Sequence, residues 1–236
     1  MTAIDHDSLQ GPTLEIIVGT EGKTAIWNIA KNLLSHHSKF FRAACYQPFK
    51  EGLENSISLP DHDPDAFKVF VWWLYYEHLP TDFRRIAGGE GVWLGLKAWV
   101  LGDKLLATEF QNCTMHLIWK CYNPDSSDRY NVLPSEIMYC WENTPPGSNL
   151  RRFISDLVCR CWSAASCDPP KEEEWKDLFD QLPDLRNDVI FHFRGCNKEV
   201  KPVGAYLEGF EYKGTPKKKF TLYTQGRGDR NGRYGP

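Results

Sequence analysis

The sequence predicts an α+β fold in which a cluster of helices is capped by a small three-stranded sheet and followed by an all-helical extension. Two β-rich runs, residues 14–18 and 24–29, precede a stretch of helical apolar spacing that begins at Ala30. A further short alternating run, residues 56–59, leads into a strongly apolar helix. A few early strands among helices that dominate the rest of the chain are typical of this fold class.

Length and composition indicate a soluble, folded protein with a real core. Of the 236 residues, 42% are hydrophobic, 14% aromatic and 25% charged, which suits one domain with additions. No run of about 18 apolar residues occurs, and the first 13 residues lack the basic end and apolar stretch of a signal peptide. We therefore expect a protein of the cytoplasm, the nucleus or both.

The first predicted elements are a β-hairpin and two short helices. Gly19 and Gly22 lie between the two strands, and glycine tolerates the positive φ angles of tight turns. Leu33 and Phe41 belong to the helical apolar pattern that follows. Ser38 is placed to cap the second helix, because its side chain can accept a backbone N–H bond.

The third strand leads into the helix that we expect to be the most buried element. Residues 56–59 alternate polar and apolar, as a half-buried strand does. Asp63 is the natural N-cap of the next helix, and Pro64 suits its first turn. This helix, residues 64–77, is apolar over most of its circumference, which predicts a place at the centre of the core.

A glycine-rich loop, residues 80–92, then precedes a predicted helix pair at 94–106 and 108–120, where Thr108 and Gln111 match a capping box. Further helices are predicted at 134–142, 148–162, 172–180 and 184–193.

The end of the chain is basic: residues 198–236 hold nine Lys/Arg against four Asp/Glu, with too few apolar residues to offset the entropy of ordering. The predicted divisions are a flexible leader (1–13), a domain (14–122), a helical extension (123–195) and a disordered basic tail (196–236).

Six short motifs follow one another along residues 33–105. They are Leu33-Leu34, Ser38-Lys39-Phe40-Phe41, Phe49-Lys50-Glu51, Ile57-Ser58-Leu59-Pro60-Asp61-His62-Asp63-Pro64-Asp65-Ala66-Phe67, Trp73-Leu74-Tyr75 and Leu101-Gly102-Asp103-Lys104-Leu105. This ordered set resembles the BTB/POZ family, particularly its fungal members. The segment from Trp141 to Arg152 also looks like one found after the domain in many fungal proteins of this group. The resemblance implies a BTB/POZ fold for residues 14–122.

The chain departs from the family pattern at positions that help to order the dimer face in some members. Ala30 stands where the family often has histidine, and Glu15 stands where many members have aspartate. The segment before Leu14 is also short for the exchanged strand and helix of some dimeric members. We therefore expect interaction through the Phe49 region or the helical extension rather than through an exchanged-strand dimer.

The resemblance implies a protein-interaction module that is not an enzyme. It implies self-association, as a homodimer, or a substrate adaptor for a cullin-type ubiquitin ligase; the alternative is an oligomerisation scaffold in a nuclear, transcription-related complex without a ligase role. Phe49, Lys50 and Glu51 are the candidate partner-binding residues, since an aromatic anchor beside a charge suits an interface. In the competing interpretation, Phe49 closes a small core and Glu51 ends a helix.

Other residue patterns give no cofactor, metal or catalytic site. Cys159 and Cys161 are two apart, so on a helix their side chains point about 200° apart and do not converge on one zinc ion. The run Asp61-His62-Asp63 reads as a turn that caps a helix, and the glycine-rich segments lack the Lys-Ser/Thr of a phosphate loop. The eight cysteines lie mostly beside apolar residues, which predicts reduced thiols. We expect protein partners, and neither a small-molecule substrate, a nucleic acid nor a membrane.

Overall fold

The computed structural model describes residues 9–20, 22–46, 55–79, 91–122, 132–163 and 172–194. Within them the fold is α+β, with one three-stranded sheet and nine helices, and most of the residues are helical. The strands are β1 (Thr13–Val18), β2 (Ala25–Ala30) and β3 (Ser56–Leu59). The helices are α1 (Lys31–His37), α2 (Lys39–Tyr46), α3 (Pro64–Tyr76), α4 (Gly91–Lys104), α5 (Thr108–Tyr122), α6 (Pro134–Asn143), α7 (Asn149–Ser163), α8 (Glu172–Gln181) and α9 (Pro183–Arg194).

The predicted hairpin and third strand are confirmed, and they form a sheet in the order β2-β1-β3. Strand β1 is antiparallel to β2 and parallel to β3, so that Ile16 lies opposite both Trp27 and Ile57. Alternate residues of β1 are fully buried, as one apolar face requires. Gly19 and Gly22 both have φ of 92°, the positive values for which glycine is suited.

The predicted cap between α1 and α2 is confirmed at Ser38. Its side-chain oxygen accepts the N–H of Phe41 at 3.1 Å, which satisfies a donor at the start of α2. The same hydroxyl donates to the carbonyl of Leu105 at 2.6 Å. Ser38 therefore caps a helix and also ties it to the end of α4.

Helix α3 begins as predicted, but it is not the most buried element. Asp63 accepts the N–H of Asp65 at 2.8 Å and Pro64 occupies the first turn. Seven of the 13 residues of α3 are buried, against nine of the 15 residues of α5. The expectation was wrong because α5 packs against apolar groups on two sides, whereas the end of α3 has one side open to solvent.

Helices α4 and α5 form the predicted pair, with α4 starting inside the predicted loop at Gly91. A Cβ atom at Gly102 of α4 would lie 2.8 Å from the side chain of Gln111 and 3.0 Å from that of Phe110. The absence of a side chain at Gly102 thus permits the close approach of the two helices. Residues 80–90 of the predicted loop lie outside the described residues.

The predicted capping box at Thr108 is wrong. The carbonyl of Ala107 accepts the N–H of Gln111 at 3.0 Å, so Ala107 is the cap and Thr108 is the first helical residue. The side chain of Gln111 donates to Asp103 Oδ1 at 3.0 Å. Because α4 ends close to the start of α5, the carboxylate of Asp103 is within reach of Gln111. It accepts a hydrogen bond from the side-chain amide that a capping box would use.

The α4–α5 pair separates two apolar cores. Leu101 and Phe110 belong to a core formed with the sheet and α1–α3, whereas Trp99 and Ile118 belong to a second core formed with α6–α9. The four predicted helices beyond residue 132 are confirmed, and they pack on the far side of this pair. No helix among the described residues combines the length and apolar content needed to cross a membrane.

Candidate interaction surface

The predicted partner-binding residues Phe49, Lys50 and Glu51 lie outside the described residues. The structure describes the residues on either side of this segment. Helix α2 ends at Tyr46, whose hydroxyl donates to Asn32 Oδ1 at 2.7 Å. On the other side, Asn55 leads into β3.

Asn55 is fixed by both its backbone and its side chain. Its φ of 52° is in the left-handed region, which asparagine tolerates better than most residues. Its carbonyl accepts the N–H of Glu15 at 3.0 Å, and its side-chain oxygen accepts Lys31 Nζ at 2.5 Å. Asn55, at which the described chain resumes, is therefore held against β1 and α1.

The polar side chains near Glu15 and Ala30, the two positions that depart from the BTB/POZ pattern, form hydrogen bonds within this chain. Lys31 is only 8% exposed, and its amine is directed to Asn55. A carboxylate oxygen of Glu15 accepts the hydroxyl of Ser56 at 3.1 Å. Ala30, at the position where the family often has histidine, is buried. These contacts give Glu15 and Lys31 a role in joining β1, α1 and β3.

Among the described residues, three exposed aromatic side chains lie together at the end of α3, namely Trp72, Tyr75 and Tyr76, which we call the aromatic ledge. Their exposed fractions are 40%, 38% and 55%, and the rings of Trp72 and Tyr76 lie 4.6 Å apart. The ring of His78 follows at 6.0 Å from that of Tyr76. Exposed tryptophan and tyrosine side chains are enriched at protein interfaces. The ledge is therefore a candidate contact surface that the motif analysis did not identify.

A signal for the ledge is present in the sequence. Asp65 and Lys68 are the exposed polar residues of α3, and they mark the side of the helix that faces solvent. Trp72 lies four residues after Lys68, and Tyr75 and Tyr76 lie three and four residues after Trp72, which is the spacing of one helical face. An aromatic residue on the polar side of a helix is a departure from amphipathic order.

Within the run Asp61-His62-Asp63, the carboxylate of Asp63 stabilises the fold. Asp63 accepts Lys97 Nζ at 2.7 Å and lies 3.4 Å from Lys23 Nζ. Burial alone raises the pKa of Asp63, but the bonds from Lys97 and from the N–H of Asp65, with the nearby charge of Lys23, outweigh it and lower the pKa. This carboxylate thus joins the hairpin turn, the start of α3 and the middle of α4.

Metal-binding residues are not grouped in the part of the chain that the structure describes. No three His, Cys, Asp or Glu side chains there are placed to hold an ion. Cys159 is buried, while the side chains of Cys161 and Cys167 lie outside the description. His37 packs edge-on against Trp73, with ring centroids 5.0 Å apart.

The segment from Trp141 to Arg152 has a structural role. Arg151 donates from Nη2 to the carbonyl of Trp141 at 2.5 Å and to that of Thr144, and from Nε to Thr144 Oγ1 at 3.1 Å. Its guanidinium also lies 5.3 Å from the ring of Trp141. The last carbonyls of a helix lack partners within it, so Arg151 satisfies the end of α6 and joins it to α7.

Two comparisons, with family models and with curated proteins, give no match. No family model matches the chain, and none of the curated proteins does. The resemblance to the BTB/POZ family therefore depends on the motifs of this chain alone.

Proposed function

We propose that this chain is a BTB/POZ-type protein-interaction module without catalytic activity, which presents a client to a cullin-type ubiquitin ligase. The observation that carries the proposal is the agreement between motif order and element order. Five of the six motifs of residues 33–105 fall on α1, α2, β3, α3 and α4, and Phe49-Lys50-Glu51 lies outside the described residues. The sheet that precedes and joins them has the order β2-β1-β3.

The exposed surface supports a protein partner. The aromatic ledge presents three large side chains at the end of α3, on the side opposite the buried Phe70 and Leu74. A partner that covers Trp72 and Tyr76 removes apolar area from water, which contributes about 25 cal/mol for each Å². We propose residues 49–51 and this ledge as separate candidate contacts for the cullin.

The experiment is co-precipitation of a cullin with the whole chain and its variants. Phe49→Ala removes the predicted anchor and Glu51→Lys reverses the predicted charge. Trp72→Ala removes the centre of the ledge. Glu142→Lys is the matched control, because it makes the same charge reversal at an exposed position of α6.

The adaptor proposal requires that the parent and Glu142→Lys capture the cullin, and that Phe49→Ala, Glu51→Lys and Trp72→Ala each capture at least about tenfold less, as expected for interface anchors. Equal capture by all variants contradicts the assignment of residues 49–51. No capture by a folded parent at micromolar concentration contradicts the adaptor role itself.

A second candidate function, an oligomerisation scaffold in a nuclear, transcription-related complex, is favoured by the edge of the sheet. Strand β2 forms one edge of the sheet. Its six residues carry no charge, and Ile26 is 59% exposed. Uncharged edge strands pair readily with another strand. The test is mass in solution, in which Ile26→Lys lowers the associated fraction; a strict monomer at about 100 μM, a range in which weak dimers form, contradicts self-association.

A further inference from the structure

Strand β2 has an open side, because it is the last strand at one edge of the sheet. The N–H of Lys31, directly after β2, donates to the carbonyl of Pro12 at 3.0 Å. In an antiparallel ladder, residues that bond to the neighbouring strand alternate with residues whose N–H and C=O groups point the other way. The backbone groups of Ile26 and Asn28 therefore point away from β1. Among the described residues, no strand pairs with them.

The side chains at this edge lie on the outer face of the sheet. Ile26 is 59% exposed, and Asn28 and the preceding Thr24 are also exposed. Ile26 lies opposite the half-buried Ile17 of β1, which lies opposite Ser58 of β3. The edge thus presents one apolar side chain, with an apolar neighbour behind it, between two polar side chains.

The edge has the charge pattern of a surface that can meet a copy of itself. The six residues of β2 carry no charge. On either side of the strand, Lys23 Nζ lies 2.8 Å from Asp65 Oδ2, and the amine of Lys31 is directed to Asn55. Pairing of two β2 strands places the Glu15 residues of the two copies three strand spacings apart, about 14 Å, which exceeds the Debye length at physiological salt. A two-fold contact brings identical surfaces together, so this lack of repulsion favours a second copy as the occupant.

Three registers bring the outward-pointing residues of two β2 strands opposite one another. The two-fold axis passes through Ile26, through the position between Ile26 and Asn28, or through Asn28. In the first register Ile26 meets its own counterpart, and Thr24 meets Asn28. In the second Ile26 meets Asn28, and in the third it meets Ala30, which is buried. Only the first register pairs apolar with apolar and polar with polar, an arrangement that stabilises neighbouring strands.

We propose that two copies of this chain pair through antiparallel β2 strands, with Ile26 of each copy opposite Ile26 of the other, so that the two sheets join into one of six strands. This rests on the oligomerisation function given above as the second candidate, and it specifies the partner and the register. Each copy contributes one short strand, less than the roughly 1,200 Å² of total buried surface at which stable interfaces begin. The association is therefore weak, with a Kd of about 10–100 μM.

Charge exchange at Ile26 tests the proposal, with the mass of the whole chain in solution as the measurement at about 100 μM. Ile26→Lys and Ile26→Glu each place like charges opposite one another, and each is expected to weaken association at least about tenfold. An equimolar mixture of the two variants is expected to restore association, because opposite charges then face each other. Ile190→Lys is the matched control, the same change at an isoleucine of α9 that is 48% exposed, and it leaves association unchanged.

A second pair of variants keeps the test decisive if circular dichroism shows that a change at Ile26 unfolds the chain. Thr24→Glu and Asn28→Lys alter exposed polar side chains that face each other in the proposed register. Their equimolar mixture is expected to associate about threefold more tightly than either variant alone. Equal association of the mixture and the single variants overturns the register.

The outcomes separate the β2 contact from the oligomerisation function. Association of the parent that neither Ile26→Lys nor Ile26→Glu weakens overturns the β2 contact and leaves oligomerisation standing. Folded variants that remain monomeric when mixed overturn the direct opposition at Ile26. A parent that is strictly monomeric at about 100 μM overturns both the contact and the oligomerisation function.

Discussion

The phenolic hydroxyl of Tyr122 donates to a carboxylate oxygen of Glu136 at 2.7 Å, and both residues are buried between α5 and α6. The same oxygen accepts the N–H of Leu133 at 2.8 Å. Burial raises the pKa of Glu136 although both hydrogen bonds oppose the shift. Burial and the adjacent Glu136 also raise the pKa of Tyr122 well above its usual value. This hydrogen bond joins α5, which contributes to both apolar cores, to α6, the first helix of the extension.

Glu136→Gln is expected to change the pH dependence of stability. A carboxyl group whose pKa is raised by folding adds stability below its unfolded pKa of about 4.3, and this is lost as pH rises through the folded pKa. Glutamine retains an acceptor and does not ionise. Urea unfolding at several pH values from 4 to 8 is therefore expected to show a shallower fall for Glu136→Gln than for the parent.

The control is Glu136→Ala, which leaves the Tyr122 hydroxyl and the Leu133 N–H without an acceptor and is expected to cost about 1–3 kcal/mol. Identical pH profiles for the parent and Glu136→Gln contradict the raised pKa of this group.

Ser38→Ala is expected to lower the free energy of unfolding by about 1–2 kcal/mol. The variant removes the cap of α2 and the donor to the buried carbonyl of Leu105. Ser35→Ala is the matched control, because the hydroxyl of Ser35 donates to the carbonyl of Lys31 at 2.7 Å and hydrogen-bonds the thiol of Cys45, but it caps no helix. Thermal unfolding of both variants measures the difference, and an equal loss contradicts the linking role of Ser38.

Asp63→Asn keeps a capping oxygen but removes the charge that Lys97 and Lys23 share. The pKa of Asp63 is lowered in the folded protein, so its contribution is present above the unfolded pKa and is lost as pH falls through the folded value. We expect a loss of about 1 kcal/mol at pH 7 that shrinks below about pH 4. Asp65→Asn, at a more exposed carboxylate, serves as control; a loss independent of pH contradicts the ion pair.

Two glycines with the same φ are expected to differ when each is replaced by alanine. A Cβ atom at Gly19 would lie 2.2 Å from the carbonyl oxygen of Lys23 and 2.9 Å from Pro64, whereas one at Gly22 would meet nothing within 4 Å. Gly22→Ala is expected to cost about 1–2 kcal/mol for its left-handed backbone. Gly19→Ala is expected to cost more, because backbone must move as well. Denaturant unfolding compares them, and equal losses contradict the close approach at Gly19.

Features set by neighbouring residues were predictable from the sequence. Asp63 caps the helix that starts at Pro64, and Ser38 caps α2, because each bond spans two or three residues. Features set by packing across the chain were not predictable in this way. Gln111 turns to Asp103 rather than to Thr108, since the approach of α4 and α5 is decided by tertiary contacts.

The same distinction between features set by neighbouring residues and features set by packing applies to the candidate surface. Periodicity identified α3 as a core helix, but its overall apolar content concealed that Trp72, Tyr75 and Tyr76 lie on the side of Asp65 and Lys68. The pairing of Lys31 with Asn55 joins residues 24 positions apart, a distance at which spacing carries no information. Phe49, Lys50 and Glu51 remain a prediction from resemblance.

The most direct test of the adaptor proposal is a binding titration between the purified whole chain and a purified cullin. The proposal predicts a Kd of about 10 μM or tighter, in the range of specific interfaces, weakened at least about tenfold by Phe49→Ala and unchanged by Glu142→Lys. A correctly folded chain that gives no binding at about 100 μM contradicts it.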